Sequence, residues 1–214
     1  MFQHKLSNLF KCGALLLSIL CLSQQSVLSQ CTFSASVQGS AGATTKYYLT
    51  NLSGVVVDDT APLTAPSVGD YRLYAVTHDA GTTGFPAVGQ NVSGINGGCF
   101  TIDFIPAICR CSSATTSVSV STSGYDTNYT QSYALMSGST ISAVNTTGTF
   151  TAAQLSTAGL SASASVKIYA INHDATAAPT VGQALPTLGC SDADSYALIS
   201  AYSCCAANAG TWIN

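Results

Sequence analysis

The stretch RLYAVTHDA at residues 72–80 decides the fold, because it returns as KIYAINHDA at residues 167–175 with a related residue at every position. Each copy is a short, apolar, β-rich run that ends at a His-Asp pair. Runs of this length that stop at turn-forming residues are typical of β-strands. A pattern that repeats at this distance indicates one structural unit present twice.

Three further blocks occur in the same order in both halves of the chain. The matched pairs are residues 47–49 with 133–135, PAVGQ at 86–90 with PTVGQ at 179–183, and Gly-Cys at 98–99 with 189–190. The spacing between the blocks changes only slightly, as small loop deletions between strands would produce. We therefore predict two tandem modules, 30–110 and 111–214.

Within each module the pattern predicts several short antiparallel strands. Phe33, Ala35 and Val37 alternate with polar residues, as do Val118 and Val120, and this period of two is that of a half-buried strand. We take these two segments as candidate donor strands for pairing with another chain. A single helical turn is conceivable at 151–155. The predicted fold is all-β, with each module a small antiparallel β-sandwich.

The composition excludes several classes of protein. Only 7% of the residues are charged, and the nine acidic residues are all Asp. Globular domains usually carry about 25% charged residues. Strong helix formers are scarce, so long amphipathic helices and coiled coils are excluded. Six basic residues argue against nucleic-acid binding. A hydrophobic content of 47% argues against disorder.

The N-terminus has the organisation of a signal peptide. Lys5 and Lys11 precede an apolar run at 15–22, which is shorter than the roughly 20 residues of a membrane span. Small residues at the positions read by signal peptidase place the cleavage after Ser29. We expect a secreted protein, extracellular or on the cell surface, that begins at Gln30 and has no membrane span.

Export makes disulfides the first interpretation of the cysteines. Seven follow the signal peptide, and all are disulfide candidates: Cys31, Cys99, Cys109, Cys111, Cys190, Cys204 and Cys205. Zinc is disfavoured because no Cys-x-x-Cys pair occurs. If 99–109 is one extended strand, its ends are about 33 Å apart and cannot bond each other. An odd number of cysteines leaves a free thiol or a bond to another chain.

No catalytic, cofactor or metal site is predicted. The repeated pairs His78-Asp79 and His173-Asp174 could act as ligands or acid–base dyads, but neighbouring residues of a strand point to opposite faces, so turn formation is the favoured interpretation. The Asp clusters at 58–59 and 192–194 are read as turns, with Ca²⁺ binding as the alternative. Serine-nucleophile and phosphate-loop motifs do not occur.

Gly69-Asp70-Tyr71 resembles the Gly-x-Tyr strand entry of immunoglobulin-like modules, in which the tyrosine forms a corner. The Tyr-x-Leu-Thr opening, the Val-Gly-Gln segment and the Gly-Cys-Phe ending are more broadly similar to secreted surface repeat modules of Bacteroidota. This resemblance implies tandem immunoglobulin-like sandwiches in an exported surface protein or adhesin.

Three functions are compatible with these features. The first is a non-enzymatic structural protein that assembles with itself into an extracellular filament or surface layer, by strand addition and disulfide linkage; low charge favours such association. The second is a monomeric cell-surface adhesin or carbohydrate-binding module, with glycans or other surface proteins as partners. The third is a secreted hydrolase with an Asp-based site.

Overall fold

The computed structural model describes residues 30–34, 43–111, 117–123, 127–162, 164–185 and 191–202. These residues form twelve β-strands, one α-helix and one 3₁₀ turn, so the all-β prediction is confirmed. The predicted signal peptide, 1–29, lies outside the described residues. No described helix is long and apolar enough to span a membrane.

The first repeat contributes six strands and the second repeat contributes six strands and the helix. The bounds are β1 Cys31–Phe33, β2 Thr44–Thr50, β3 Val56–Asp58, β4 Leu63–Ala65, β5 Gly69–His78, β6 Phe100–Cys111, β7 Val118–Ser119, β8 Thr130–Ser137, β9 Thr140–Asn145, β10 Thr149–Phe150, α1 Ala152–Thr157, β11 Val166–His173 and β12 Ser191–Tyr202. The 3₁₀ turn is Val92–Gly94.

Eight of the described strands form a single sheet in the order β3-β2-β5-β6-β12-β11-β8-β9. The first repeat supplies one half of this sheet and the second repeat the other. They meet where β6 and β12 pair in parallel, with Ala107 opposite Leu198 and Cys111 opposite Tyr202. Because these equivalent strands run in the same direction, a half-turn about an axis along the strands relates the repeats. That rotation exchanges the two faces of the sheet.

The two main cores accordingly lie on opposite faces. In β6, Cys109 packs in a core with Phe33 and Leu73, whereas its neighbour Ile108 packs with Phe150 and other residues of the second repeat. Alternate residues of a strand point to opposite faces. We call the side covered by the paired strands β1 and β4 the β1 face. The other side, covered by β7, β10 and α1, is the β7 face.

The helix is short because its sequence supplies only one turn and a cap. Thr151 accepts the amide of Gln154 through its side chain, and the Gln154 side chain accepts the amide of Thr151, which forms a capping box. Leu155 is the buried residue of the helix and packs in the second-repeat core. This agrees with the helical turn predicted near 151–155.

The repeated Val-Gly-Gln segments bind the two edge strands of the sheet, β3 and β9. In the first repeat, Val56 of β3 donates its amide to Gln90 at 2.8 Å and accepts the amide of Gly89 at 2.8 Å. In the second, Ile141 of β9 makes the same two bonds with Gln183 and Gly182, at 2.9 and 2.8 Å. Uncovered edge strands invite pairing with other chains. The repeat therefore includes its own partial edge cover.

The described sheet differs from two separate sandwiches, because strands of both repeats share it. Each repeat places a two-stranded sheet over one face of the large sheet. Among the described residues, these two small sheets are the only β-layers besides the large one. One local expectation was wrong: Asp192-Ala193-Asp194 lies within β12 and not in a turn. The pairing of β12 with β11, which continues to Ser191, holds this polar stretch in the sheet.

Candidate interaction sites

The two His-Asp pairs form the same turn at the ends of β5 and β11. The Nδ1–H of His78 donates to the carbonyl oxygen of Asp79, and His173 makes the same bond to Asp174, both at 2.8 Å. The Asp79 carboxylate accepts the amides of Gly81 and Cys99. This geometry fits the interpretation of the repeated pair as a turn, because backbone groups bind both the imidazole Nδ1 and the carboxylate.

These hydrogen bonds stabilise the ionised carboxylates. The amide of Cys99, with further donation from Thr82 and Gly81, lowers the pKa of Asp79 below its ordinary value. The hydroxyl and amide of Thr176 do the same for the pKa of Asp174. Hydrogen bonds to a charged form favour that form. Both aspartates are therefore structural acceptors.

The surroundings of the two histidines differ at Nε2. The hydroxyl of Ser132 lies 2.9 Å from Nε2 of His173 in a buried contact. In the first repeat Nε2 of His78 is buried and has no hydrogen-bond partner in the described part of the chain. Lys46 lies opposite Val76 of β5, and Ser132 lies opposite Ile171 of β11. Because Val76 and Ile171 are matched residues of the two repeats, Lys46 occupies the position equivalent to Ser132. The surroundings of His78 in the first repeat therefore differ chemically from those of His173 in the second, because a lysine replaces the serine.

Lys46 belongs to an open cleft of about 500 Å³ beside β2. Its ammonium lies 3.8 Å from the centre of the Phe85 ring, and the centre of the His78 ring lies 4.6 Å from the same ring. A cation over an aromatic face contributes about 0.5–1 kcal/mol at an exposed site. Burial, with a contribution from the charge of Asp59, raises the pKa of Tyr48. The full lining is Thr45, Lys46, Tyr47, Tyr48, Asp59, Ala61, Phe85, Pro86 and Ala87.

The cleft exists because β3 is short. Its pairing with β2 covers Leu49 and Thr50, and the chain then turns at Asp58. The Asp58 carboxylate accepts the amides of Thr60 and Thr64, at 3.1 and 2.7 Å. In the second repeat β9 continues to Val144 and Asn145, which lie opposite Ala134 and Tyr133. The sequence contains a signal for this difference in strand length. Two Asp residues and a Pro, which are disfavoured in strands, follow Val57, whereas 140–145 contains no Asp and no Pro.

The first half of β6 is a second exposed feature. Phe100, Ile102 and Phe104 lie on one face of the strand and are 37%, 41% and 43% exposed. β12 pairs with residues 107–111 only, and among the described residues none pairs with 100–106 on that side. Pro106 has no amide to donate, which explains the end of the ladder. The Phe104 amide bonds to the Asp103 carboxylate at 2.7 Å. We call these three residues the β6 stripe.

Three of the seven candidate cysteines are bonded in the structure and one is free. Cys31 is bonded to Cys109, which joins β1 to β6. Cys111 is also in a disulfide. Cys99 is free and exposed, and it does not bond Cys109, as expected for an extended strand. Cys190, Cys204 and Cys205 lie outside the described residues.

The candidate donor residues that the structure describes are used within the chain. Phe33 is buried, and β1 pairs with β4. Val118 is buried and lies opposite Phe150. The Val120 amide donates to Gly148 at 3.0 Å. Ala35 and Val37 lie outside the described residues.

The structure offers no metal site within its described ranges, since no group of three His, Cys, Asp or Glu side chains converges there. No protein-family model matches the chain, and no curated protein or solved structure shows significant similarity to it.

Proposed function

We propose that the chain is a secreted, non-enzymatic structural protein that associates with itself into an extracellular filament or surface layer. The signal-peptide pattern at 1–29 supports export. The two modules, 30–110 and 111–214, act as structural repeats in this proposal, each a variant of a small immunoglobulin-like sandwich. The Tyr71 hydroxyl supports that kinship, because it donates to the Ser67 carbonyl at 3.0 Å as in a tyrosine corner.

The observation that carries the proposal is the β6 stripe, which lies on a strand edge that is not paired by any described residue over 100–106. Exposed apolar residues are common singly, but neighbouring ones on a strand mark an interaction surface. By the Gly-Cys match, the second-repeat residues equivalent to Phe100, Ile102 and Phe104 are the small residues Ser191, Ala193 and Ser195. The stripe thus belongs to one repeat only. A copy of the chain that docks there buries three large apolar side chains at once.

Sparse charge supports the same proposal. With 7% charged residues, little electrostatic repulsion opposes contact between copies. One ion pair occurs in the described residues, between Arg110 and Asp70. Cys99 has a free thiol and directly precedes the stripe. In an oxidising compartment, an oxidant that removes two electrons and two protons would join this thiol to a thiol of another copy as a disulfide, which would lock the contact.

Sedimentation of the exported chain tests the proposal. We expect high-molecular-mass species for the wild type and a shift to monomer for Ile102→Lys, which places a charge in the β6 stripe. The control is Leu52→Lys, because Leu52 is also an exposed apolar residue but lies in the β2–β3 turn, and it should sediment like the wild type. A wild type that remains monomeric at all concentrations contradicts self-association.

The adhesin or carbohydrate-binding function stays the second candidate, and the cleft beside β2 is the observation that favours it. Lys46 and Asp59 provide polar groups for sugar hydroxyls, and Phe85 holds the Lys46 ammonium at the cleft. A glycan array with the monomeric protein tests this candidate. Binding that is lost in Phe85→Ala supports it, and an empty array contradicts it.

A further inference from the structure

We propose that two matched clusters, each made of one cation and two aromatic rings, bind the carboxylate groups of an acidic polysaccharide. We call them cluster 1, with Arg72, Tyr74 and Phe104, and cluster 2, with Lys167, Tyr169 and Tyr196. The inference goes beyond the proposed self-association and does not depend on it. Neither cluster belongs to the cleft beside β2.

The aromatic rings have the same geometry in both clusters. The ring centres of Tyr74 and Phe104 are 5.1 Å apart, with 40° between the ring planes. The rings of Tyr169 and Tyr196 are also 5.1 Å apart, with 37° between their planes. In each cluster the tyrosine of the matched stretch lies directly opposite the second ring, on the neighbouring strand. The arrangement is therefore a repeated feature of the fold.

A cation lies over the second ring of each cluster. The guanidinium carbon of Arg72 is 4.8 Å from the centre of the Phe104 ring, and the ammonium of Lys167 is 4.5 Å from the centre of the Tyr196 ring. Arg72 and Lys167 are matched residues of the two repeats. A ring attracts a cation to its face without accepting all of its N–H donors. The two cations are thus positioned, while donors stay available for a ligand.

Neither cation has a carboxylate partner in the part of the chain that the structure describes. The one ion pair there joins Arg110 to Asp70. Over the same ranges Arg72 and Lys167 make no hydrogen bond, and their nitrogens are open to solvent. The formal net charge of the whole chain is −3, so attraction for an anion is local to these cations. Two equivalent positions therefore present an unpaired positive charge.

Each cluster offers three kinds of contact, namely a cation, phenol hydroxyls and aromatic surface. Burial is the main cause that raises the pKa of Tyr169 and Tyr196 above the ordinary value, so both hydroxyls stay protonated donors at neutral pH. A sugar acid presents a carboxylate, hydroxyl groups and an apolar ring face, which match the three contacts. The carboxylates of an acidic peptide would use the cation alone. The chemistry thus favours a sugar acid.

The two clusters lie on opposite faces of the sheet. Phe104 projects on the same side of β6 as Ile108, which is the β7 face, because alternate residues of a strand share a face. Tyr196 packs beside Leu198 against the first-repeat core, on the β1 face. A small ligand reaches one cluster only. A polymer bound at one face can be joined through the other face to a second polymer strand.

A polymer is also the ligand that makes such sites effective. One exposed cation binds a single carboxylate weakly. A polysaccharide with an acid on each sugar presents many carboxylates at once, and linked weak contacts multiply in affinity. The ligand we infer is therefore a polymer of sugar acids.

The clusters differ in their relation to the β6 stripe. Phe104 belongs to both the stripe and cluster 1, so a copy docked on the stripe competes with the polysaccharide there. Cluster 2 contains no residue of the stripe. It therefore stays open in an assembly that uses the stripe.

Binding of the exported chain to polygalacturonate tests the inference. Arg72→Gln and Lys167→Gln each remove one charge and keep a polar side chain. We expect each substitution to weaken binding about threefold, and both together about tenfold. Lys46→Gln is the matched control, because Lys46 also lies over a ring, that of Phe85, but outside both clusters. It should bind like the wild type.

Chemical modification of the wild type gives a readout that needs no substitution. Lys46 and Lys167 are the two lysines that follow residue 29. Polygalacturonate at about ten times its Kd should slow the acetylation of Lys167 about tenfold and leave that of Lys46 unchanged, measured by mass spectrometry. Phenylglyoxal should likewise show protection of Arg72 and none of Arg110.

Four results overturn the inference. They are equal protection of the two lysines, no protection of either, neutral dextran that binds as tightly as polygalacturonate, and dextran sulfate that binds where polygalacturonate does not. Poly-aspartate that binds as tightly, and is lost in the double variant, assigns the clusters to an acidic peptide and also overturns it. A chain that assembles but binds no polygalacturonate refutes this inference alone. A chain that binds it but stays monomeric refutes the proposed self-association alone.

Discussion

Cys31 and Cys109 are joined by a disulfide across a sequence separation of 78 residues, with their Cα atoms 5.6 Å apart. The bond fixes the three-residue strand β1 to the longest strands of the sheet, since Cys109 lies in β6 and the disulfide sulfur of Cys31 lies 3.3 Å from the Ser200 carbonyl oxygen of β12. Both sulfur-bearing residues are fully buried. The bond therefore ties the cover of the first repeat to the junction of the two repeats.

Removal of this disulfide should destabilise the protein strongly. A loop of this length restricts the unfolded chain by about 4 kcal/mol on the chain-entropy model. We expect the double substitution of Cys31 and Cys109 by Ser to lower the free energy of unfolding by roughly that amount, measured in guanidinium chloride. Cys99→Ser is the control and should change little, because Cys99 is exposed and unbonded. Equal stability of wild type and double variant would refute this role.

The edge covers should depend on their glycines. Gly89 and Gly182 have φ angles of 88° and 87°, which a side chain makes costly. An added Cβ meets nothing within 4 Å at either glycine, so the cost is backbone strain alone. We expect Gly182→Ala to lower stability by about 1 kcal/mol and to speed amide exchange of Ile141. Gly94→Ala, at a glycine without positive φ, is the comparison and should be close to neutral.

Acid should weaken the two His-Asp turns. The pKa values of Asp79 and Asp174 are lowered in the folded protein, so the carboxylates stabilise the fold at pH values above the unfolded pKa of about 3.9. This stabilisation is lost as pH falls through the lowered folded values. We expect the difference in Tm between wild type and Asp79→Asn to narrow between pH 5 and pH 2, roughly the range of acid unfolding. A difference that stays constant over that range contradicts the ionised role of Asp79.

Export should remove residues 1–29. Mass spectrometry of the protein collected outside the cell is expected to give an N-terminus at Gln30. An N-terminus at Met1 in the exported protein would contradict the signal-peptide prediction, and a substitution of Ser29 by a bulky residue should delay processing.

Much of each repeat could be predicted from the sequence because the signals are local. The β-rich runs, the His-Asp turns and the helical turn after Thr151 depend on neighbouring residues, and the structure has all three. The Val-Gly-Gln match also indicated a shared element, although its function as an edge cover depends on bonds to Val56 and Ile141, which are distant in sequence.

The arrangement of the repeats could not be predicted in the same way. The pairing of β6 with β12 is parallel and joins residues about ninety positions apart. No local turn or periodic pattern in the sequence predicts such a pairing. The cleft beside β2 was missed for a related reason. It arises because β3 stops earlier than β9. The matched sequence blocks lie in the parts that the two repeats share, whereas the cleft lies where the repeats differ.

Electron microscopy of the exported wild-type chain tests the central claim most directly. The proposed self-association through the β6 stripe predicts uniform filaments or an ordered layer in the native material, with one copy of the chain as the repeating unit. Dispersed single particles of one chain each, under the same conditions and concentration, would contradict the account.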